Sequence, residues 1–492
     1  MARTALLAID QGTTSSRALA FSTTGEVIAG NQEEFAQIYP SSGCVEHDPE
    51  VIWATVLSTA RRTLERADAS GYETAAIGIT NQRETTLVWD RETGRPIHNA
   101  IVWQDRRTAD ICARLRADGA ESLVAERAGL VLDPYFSATK LAWILDAVPG
   151  ARARAEAGKL AFGTVDSFLI HRLTGGRLHV IEATNASRTA LYGLEAADWD
   201  EDLLRLFNIP RSVLPEIVDS AGRYGETEKS IFGRAIPICG AAGDQQAAAI
   251  GQACLNPGEM KSTYGTGAFM IVHTGEILVR SKNRLLSTTA WRLNGQSRYA
   301  LEGSVLSAGA TVQWLRDGLG IIARAGEIEA LARDAQPDSG VYLVPAFSGL
   351  GAPHWNPDAR AAIVGLTRGS GRAEIARAAL DSTAYQTRDL LTAMTADGVE
   401  IAELRVDGGM AVNDGFMQRL SDLCALDAVR PVNAESTAWG AAFLAGLGAG
   451  IYASIEDVRG CWRADRRFSP QIGEAFRARL LAGWDAAVKR VL

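Results

Sequence analysis

Several small-residue segments of this chain carry side chains suited to handling phosphates and hydroxyls. Asp10-Gln11-Gly12-Thr13-Thr14-Ser15-Ser16-Arg17 sets a carboxylate, a run of hydroxyls and a fixed cation around a glycine. Amide N–H groups of such a turn can converge on a phosphate, with Thr13, Thr14 and Ser15 adding hydroxyl donors and Arg17 a charge. Asp10 ends an apolar run and can hold Mg²⁺ directly or through water. An ordinary polar hairpin turn accounts for the same residues. Gly265-Thr266-Gly267 has the same character: close backbone approach from two glycines and a hydroxyl from Thr266.

A second group suits hydroxyl recognition. Asn81-Gln82-Arg83-Glu84 lies between two apolar runs, so Arg83 and Glu84 form either a solvated turn or a donor–acceptor pair for the hydroxyls of a polyol. Trp103 and Tyr135 suit the wall of that pocket, or simply the core. In Gly240-Ala241-Ala242-Gly243-Asp244-Gln245, Asp244 is either a helix N-cap or a carboxylate placed to accept the proton of an attacking hydroxyl. Gly309 and Gln313 are four apart and share a face if Ser304–Leu315 is helical. The glycines of Asp407-Gly408-Gly409-Met410-Ala411-Val412-Asn413 can admit a flat base or a phosphate, or form a plain loop. No GxxxxGK[ST] segment occurs, and no GxGxxG follows the first strand.

These residues need a scaffold that brings turns together. Ala5–Ile9, Ala18–Phe21 and Val27–Ala29 read as a β-meander. Asp48 and Pro49 start a helix in which Ile52, Val56, Ala60 and Leu64 recur every fourth residue. Strands are predicted at Ala75–Ile79, Thr85–Trp89 and Ile97–Trp103. In the second half, Lys261–Tyr264 and Ala268–His273 flank the second turn, and Glu403–Val406 is strand-like. Close to half the chain separates the two turns, as a duplicated α/β unit requires.

The 492 residues, 47% apolar and 22% charged, suit a folded globular protein of two or three domains. A net charge of −8 argues against a broad nucleic-acid surface. The 6 Lys among 50 basic residues receive no functional reading. Six cysteines without a CxxC pair argue against a disulfide framework or zinc site and fit the cytoplasm, and the histidines have no HExxH spacing. Asp10 interrupts any signal-peptide apolar core. Ser436–Ile455 is uncharged but rich in Gly and Ala, so a tightly packed buried helix and turn is expected, with no membrane span.

Taken together, Asp10–Arg17, Asn81–Thr86, Trp103–Arg107, Asp133–Phe136, Gly163–Ser167, Thr184–Thr189, Gly243–Ala247, Tyr264–Gly267, Val344–Pro353, Gly365–Gly369 and Asp407–Asn413 resemble the FGGY carbohydrate kinases. Asn81–Thr86 with Asp133–Phe136 resembles the branch that phosphorylates glycerol. The resemblance implies an α/β fold of two ribonuclease-H-like, actin-like ATPase domains around a central cleft, residues 1–250 binding glycerol and 251–492 the nucleotide. It implies transfer of the γ-phosphoryl group of MgATP to glycerol, giving sn-glycerol 3-phosphate and ADP, the first step of glycerol catabolism, with Asp244 as general base. Arg83, Glu84, Tyr135, Asp244 and Gln245 would bind glycerol, with Trp103 and Phe269 on its carbon face. Thr13, Thr14, Ser15, Arg17 and Thr266 would contact phosphates. Gly309, Gln313, Gly409 and Asn413 would line the nucleotide site, and Asp10 would hold Mg²⁺. A homodimer or homotetramer is implied. Some relatives bind fructose 1,6-bisphosphate through a Gly-rich loop ending in Arg, and others carry a regulatory phospho-histidine. Glu226–Ile236 keeps only Gly233-Arg234 and Val218–Gly225 has no His, so neither control is expected.

A kinase acting on another polyol or a ketose is the nearest rival. An ATP-driven clamp on the same fold would need a client-binding segment, and a sugar sensor a DNA-binding module. The sequence offers no surplus segment for either.

Overall fold

In the computed structural model, which describes residues 3–492, each half of the chain builds one twisted sheet. In the first, β1 (Arg3–Gln11), β2 (Ser15–Ser22) and β3 (Val27–Glu34) form the expected antiparallel meander. β4 (Tyr72–Asn81) and β6 (Pro237–Gly243) extend it in parallel, and β5 (Ala221–Glu226) closes the edge, in the order β5-β6-β4-β1-β2-β3. The second sheet repeats this plan. β7 (Glu259–Tyr264) and β8 (Ala268–Gly275) form a hairpin, β9 (Leu286–Leu293) and β10 (Gln296–Val305) continue it antiparallel, and β11 (Glu403–Asp407) and β12 (Ala428–Pro431) join β7 in parallel. With β13 (Ala464–Phe468) the order is β9-β10-β8-β7-β11-β12-β13. The two sheets are thus the doubled ribonuclease-H-like α/β units that the two turns foretold.

β1 is buried on both faces because a helix covers each. Leu7 and Ile9 pack with Ile52, Val56 and Ala60 of α1 (Pro49–Ala69), whose start is capped by Asp48 accepting from Glu50 N at 2.8 Å. Leu6 and Ala8, on the other face, pack with Ala441, Ala442 and Ala445 of a helix from the far end of the chain. That helix, Ser436–Gly448, is buried along almost its whole length. A Cβ on its Gly440 would overlap the Ala247 carbonyl, so glycine lets the backbones touch. It carries the second half of the chain onto the first sheet. No helix among the described residues is long and apolar enough to cross a membrane, and all six cysteines are free thiols.

Three elements differ from the sequence reading. The strand predicted at Ile97–Trp103 pairs only over Ala100–Ile101. That predicted at Thr85–Trp89 begins at Leu87, because Arg83 and Glu84 leave the sheet and Glu84 takes φ of 59°. Ser304 and Val305 finish β10, and the helix starts only at Gly309.

Candidate active site

The parallel strands β1, β4 and β6 end at one edge. The register pairs Gln11 with Asn81, and Asn81 with Gly243, so the segments carrying Asp10, Arg83 and Asp244 emerge side by side. In open α/β sheets this carboxyl edge is where ligands bind. Helix α2 (Asp244–Gly251) begins there, with Gly243 at the N-cap and Asp244 as its first residue. Asp244 is therefore not the N-cap, although its Oδ1 accepts from Gln245 N at 2.7 Å. A third of its side chain, 33%, stays open, and Oδ1 lies 3.3 Å from Arg83 Nε. Burial pushes the Asp244 carboxyl up to about 6, against the pull of Arg83.

Arg83 and Glu84 are both buried, which disposes of the solvated-turn reading. The positive φ of Glu84 is backbone strain held at a site by its surroundings. Trp103 meets Tyr135 edge-on at 5.7 Å and Phe269, from β8 of the second half, at 6.2 Å. These rings form one aromatic corner. Burial drives the Tyr135 hydroxyl above its usual range, so it is a neutral donor. Gln245 Oε1 accepts a hydrogen bond from the buried Lys261 ammonium. The structure thus brings Arg83, Glu84, Tyr135, Asp244, Gln245, Trp103 and Phe269 around one small space.

The first turn joins this group directly: Trp103 Nε1 donates to Thr13 Oγ1 at 2.9 Å. Thr14 is exposed, and Thr13 and Ser15 half-buried, at the head of the β1–β2 hairpin. Arg17, expected to face phosphate, instead donates to Asp10 Oδ2 (2.5 and 3.1 Å) and to Glu435 Oε2 (2.8 Å), just before the Ser436–Gly448 helix. Asp10 Oδ1 takes no part in these bonds. A buried carboxylate with one oxygen so placed, near Asp244, suits a Mg²⁺ ion that keeps most of its waters and is shared with phosphates. No cluster of three or more His, Cys, Asp or Glu occurs among the described residues that could grip a metal alone.

The second turn is exposed at Gly265 and Thr266. Helix α3 (Gly309–Asp317) sits on it: Gly309 N donates to Gly265 O at 2.9 Å, and Ala310 N to Thr266 O at 3.0 Å. A Cβ on Gly309 would lie 2.6 Å from Gly265 O. Gly408, at φ of 91°, comes so close to Tyr264 that a Cβ would lie 2.5 Å from its carbonyl, which brings neighbouring Gly409 to the same turn with open space beside it. Gln313 is exposed one helical turn beyond Gly309. Asn413 caps α4 (Asp414–Cys424), its Oδ1 accepting from Phe416 N at 2.8 Å, which leaves its amide N–H groups free to donate to a ligand. No side-chain hydrogen bond joins Gln313 or Asn413 to the first turn.

Sequence reasoning missed Arg188, Lys261, Glu302 and Glu435. Lys261 lies in the buried stretch Met260–Ser262 of β7 and Glu302 in the buried stretch Ala300–Val305 of β10, and a charge buried in a strand signals a paired neighbourhood.

Residues 5–251 match the N-terminal domain, and 260–449 the C-terminal domain, of the FGGY family of carbohydrate kinases. The chain is 59% identical over 488 residues to a glycerol kinase of Rhodospirillum centenum, covering 99% of this chain and 98% of that one. It is 59% identical over 486 residues to glycerol kinase 1 of Pseudomonas aeruginosa, covering 99% and 98%. Among solved structures it is similar to Plasmodium falciparum glycerol kinase with ADP, at TM-score 0.94 and 36% identity over 100% of this chain and 98% of that one. With both family models matched in order over most of its length, and with their two sheets on either side of one site, the chain belongs to the FGGY family of carbohydrate kinases.

Proposed function

We propose that the protein is an ATP-dependent glycerol kinase, forming sn-glycerol 3-phosphate and ADP as the entry step of glycerol use. The observation that carries this reading is the convergence of Asp244, Arg83, Glu84 and Tyr135 beneath the Trp103–Phe269 corner, one hydrogen bond from the Thr13 turn. The relatives named glycerol kinase support the choice of substrate.

In this reading residues 1–250 hold glycerol and 251–492 hold the nucleotide. Asp244 accepts the proton of the attacking hydroxyl as the γ-phosphoryl group transfers to that oxygen and ADP leaves. Arg83, Glu84, Tyr135 and Gln245 fix the hydroxyls, while Trp103 and Phe269 cover the carbons and exclude water, the competing nucleophile. Thr13, Thr14, Ser15 and Thr266 donate to phosphates. Arg17 joins them by exchanging Asp10 for a phosphate oxygen when MgATP binds. Mg²⁺, when bound with ATP at Asp10, supplies charge neutralisation. Gly309, Gln313, Gly409 and Asn413 line the nucleotide. A buried set of paired groups this small selects by hydroxyl pairing, since an analogue lacking a hydroxyl leaves them unsatisfied. The cytoplasm suits free thiols and an ATP substrate, and a homodimer or homotetramer follows the family resemblance and is open to sedimentation. Phosphorus NMR of the product from glycerol and MgATP tests the reaction: a glycerol 3-phosphate resonance is expected, and inorganic phosphate alone would contradict it.

A further inference from the structure

Behind the polyol side of the site lies a closed ionic network that spans both halves of the molecule. Glu302 of β10 is fully buried. Its Oε2 accepts from Arg83 Nη1 at 2.5 Å, and its Oε1 accepts from Arg83 Nη2 at 2.9 Å and from Arg188 Nη2 at 2.9 Å. Arg188 Nε in turn donates to Glu84 Oε1 at 2.6 Å. Burial pushes the Glu302 carboxyl up, but Arg188 and Arg83 outweigh it and hold the carboxyl below its usual range. Four charges from both halves of the chain are therefore kept in one arrangement where any one alone would be costly.

A count of donors shows what this arrangement does. An arginine has five N–H groups. Arg83 commits one from each Nη to Glu302, and a second from Nη1 to Gln246 Oε1 at 3.1 Å. What remains is Nε–H and one Nη2–H, two parallel donors on one edge of the guanidinium. Nε of that edge faces Asp244 at 3.3 Å. Without Glu302, the nearest carboxylates to the freed guanidinium are Asp244 and, at 3.9 Å, Glu84, the two carboxylates that meet the polyol in the proposed reaction.

We infer that Glu302 is a positioning residue of the polyol site: a carboxylate from the second half that locks Arg83, and through Arg188 also Glu84, so that the free edge of Arg83 meets the substrate beside Asp244. The inference rests on the reading of this site as a glycerol site. Glu302 does not touch the substrate, and its loss acts on polyol binding rather than on the nucleotide.

The test compares wild type, Glu302→Gln and Glu302→Asp in steady-state kinetics with each substrate varied in turn, together with ADP affinity by calorimetry. Glu302→Gln is expected to raise the KM for glycerol about tenfold or more while the KM for MgATP and the ADP affinity stay within about twofold. Glu302→Asp, which keeps the charge but shortens its reach, is expected to fall between. An unchanged glycerol KM, or a parallel rise of both KM values, would overturn the inference. If the glutamine variant fails to fold, the aspartate variant decides by the same criterion. A wild-type protein that ignores glycerol would instead sink the glycerol reading, and the inference with it.

Discussion

Replacing Asp244 by Asn separates chemistry from binding in a way the structure makes quantitative. The amide keeps an oxygen to accept from Gln245 N, so the start of α2 is preserved. The charge facing Arg83 Nε at 3.3 Å is lost, but with 33% of the side chain open to solvent that pair is worth at most about 1 kcal/mol. Loss of a general base lowers turnover about 10²- to 10⁴-fold, which is about 3–5 kcal/mol of barrier. The two effects are well separated in size. Asp244→Asn should therefore fold, bind ADP with unchanged affinity by calorimetry, and lose at least 99% of ADP release in a coupled assay, on the order of the lower limit above. The pH profile adds a second criterion. The deprotonated carboxylate is the base, so kcat/KM falls as pH drops through the folded value. Burial raises that value to about 6, and solvent reaching the side chain places the acid limb at or below it. The limb should vanish from any residual activity of the variant. An Asn variant with more than a tenth of wild-type turnover, or with the acid limb still in place, would refute the assignment.

Two further substitutions probe the turns. Gly309→Ala puts a Cβ 2.6 Å from Gly265 O and forces the second hairpin aside, so the KM for MgATP should rise several-fold with little change for glycerol; an unaltered MgATP KM counts against a nucleotide role for that turn. Trp103→Phe keeps the ring but removes the indole donor to Thr13 Oγ1, a bond of about 1 kcal/mol, and should cost about fivefold in kcat/KM for glycerol while raising the share of ATP lost to water. Identical partitioning between glycerol and water in the two proteins would show that the bond does not align the first turn.

Much of this was readable from residue order. Asp48-Pro49 and the four-residue apolar spacing gave the first helix its start and its buried face, and alternation of small polar turns with apolar runs marked both hairpins. Long-range burial was less visible. Arg83 and Glu84 look like a solvated turn locally, and only the approach of β10 and Arg188 makes them buried and paired. Glu302 is the counterpart of that ambiguity. Nothing beside it in sequence is charged, and its partners are far away along the chain. Likewise Arg17 looked free for phosphate, but Glu435 reaches it from the other end of the molecule. The strand predicted at Ile97–Trp103 shortens to Ala100–Ile101, paired with Glu46–His47, because Asp105 N turns back onto the Val102 carbonyl and Trp103 bonds to the side chains of Thr85 and Thr13.

The carboxylate, guanidinium and aromatic corner at the edge of the first sheet are expected to select glycerol as phosphoryl acceptor. Initial rates of ADP release from MgATP with glycerol, other polyols, ketoses and aldoses at equal concentration, against a water blank, decide that selectivity. The predicted result is that glycerol stimulates release far above the blank and above every other acceptor. A protein that releases ADP with another acceptor but not with glycerol would contradict it.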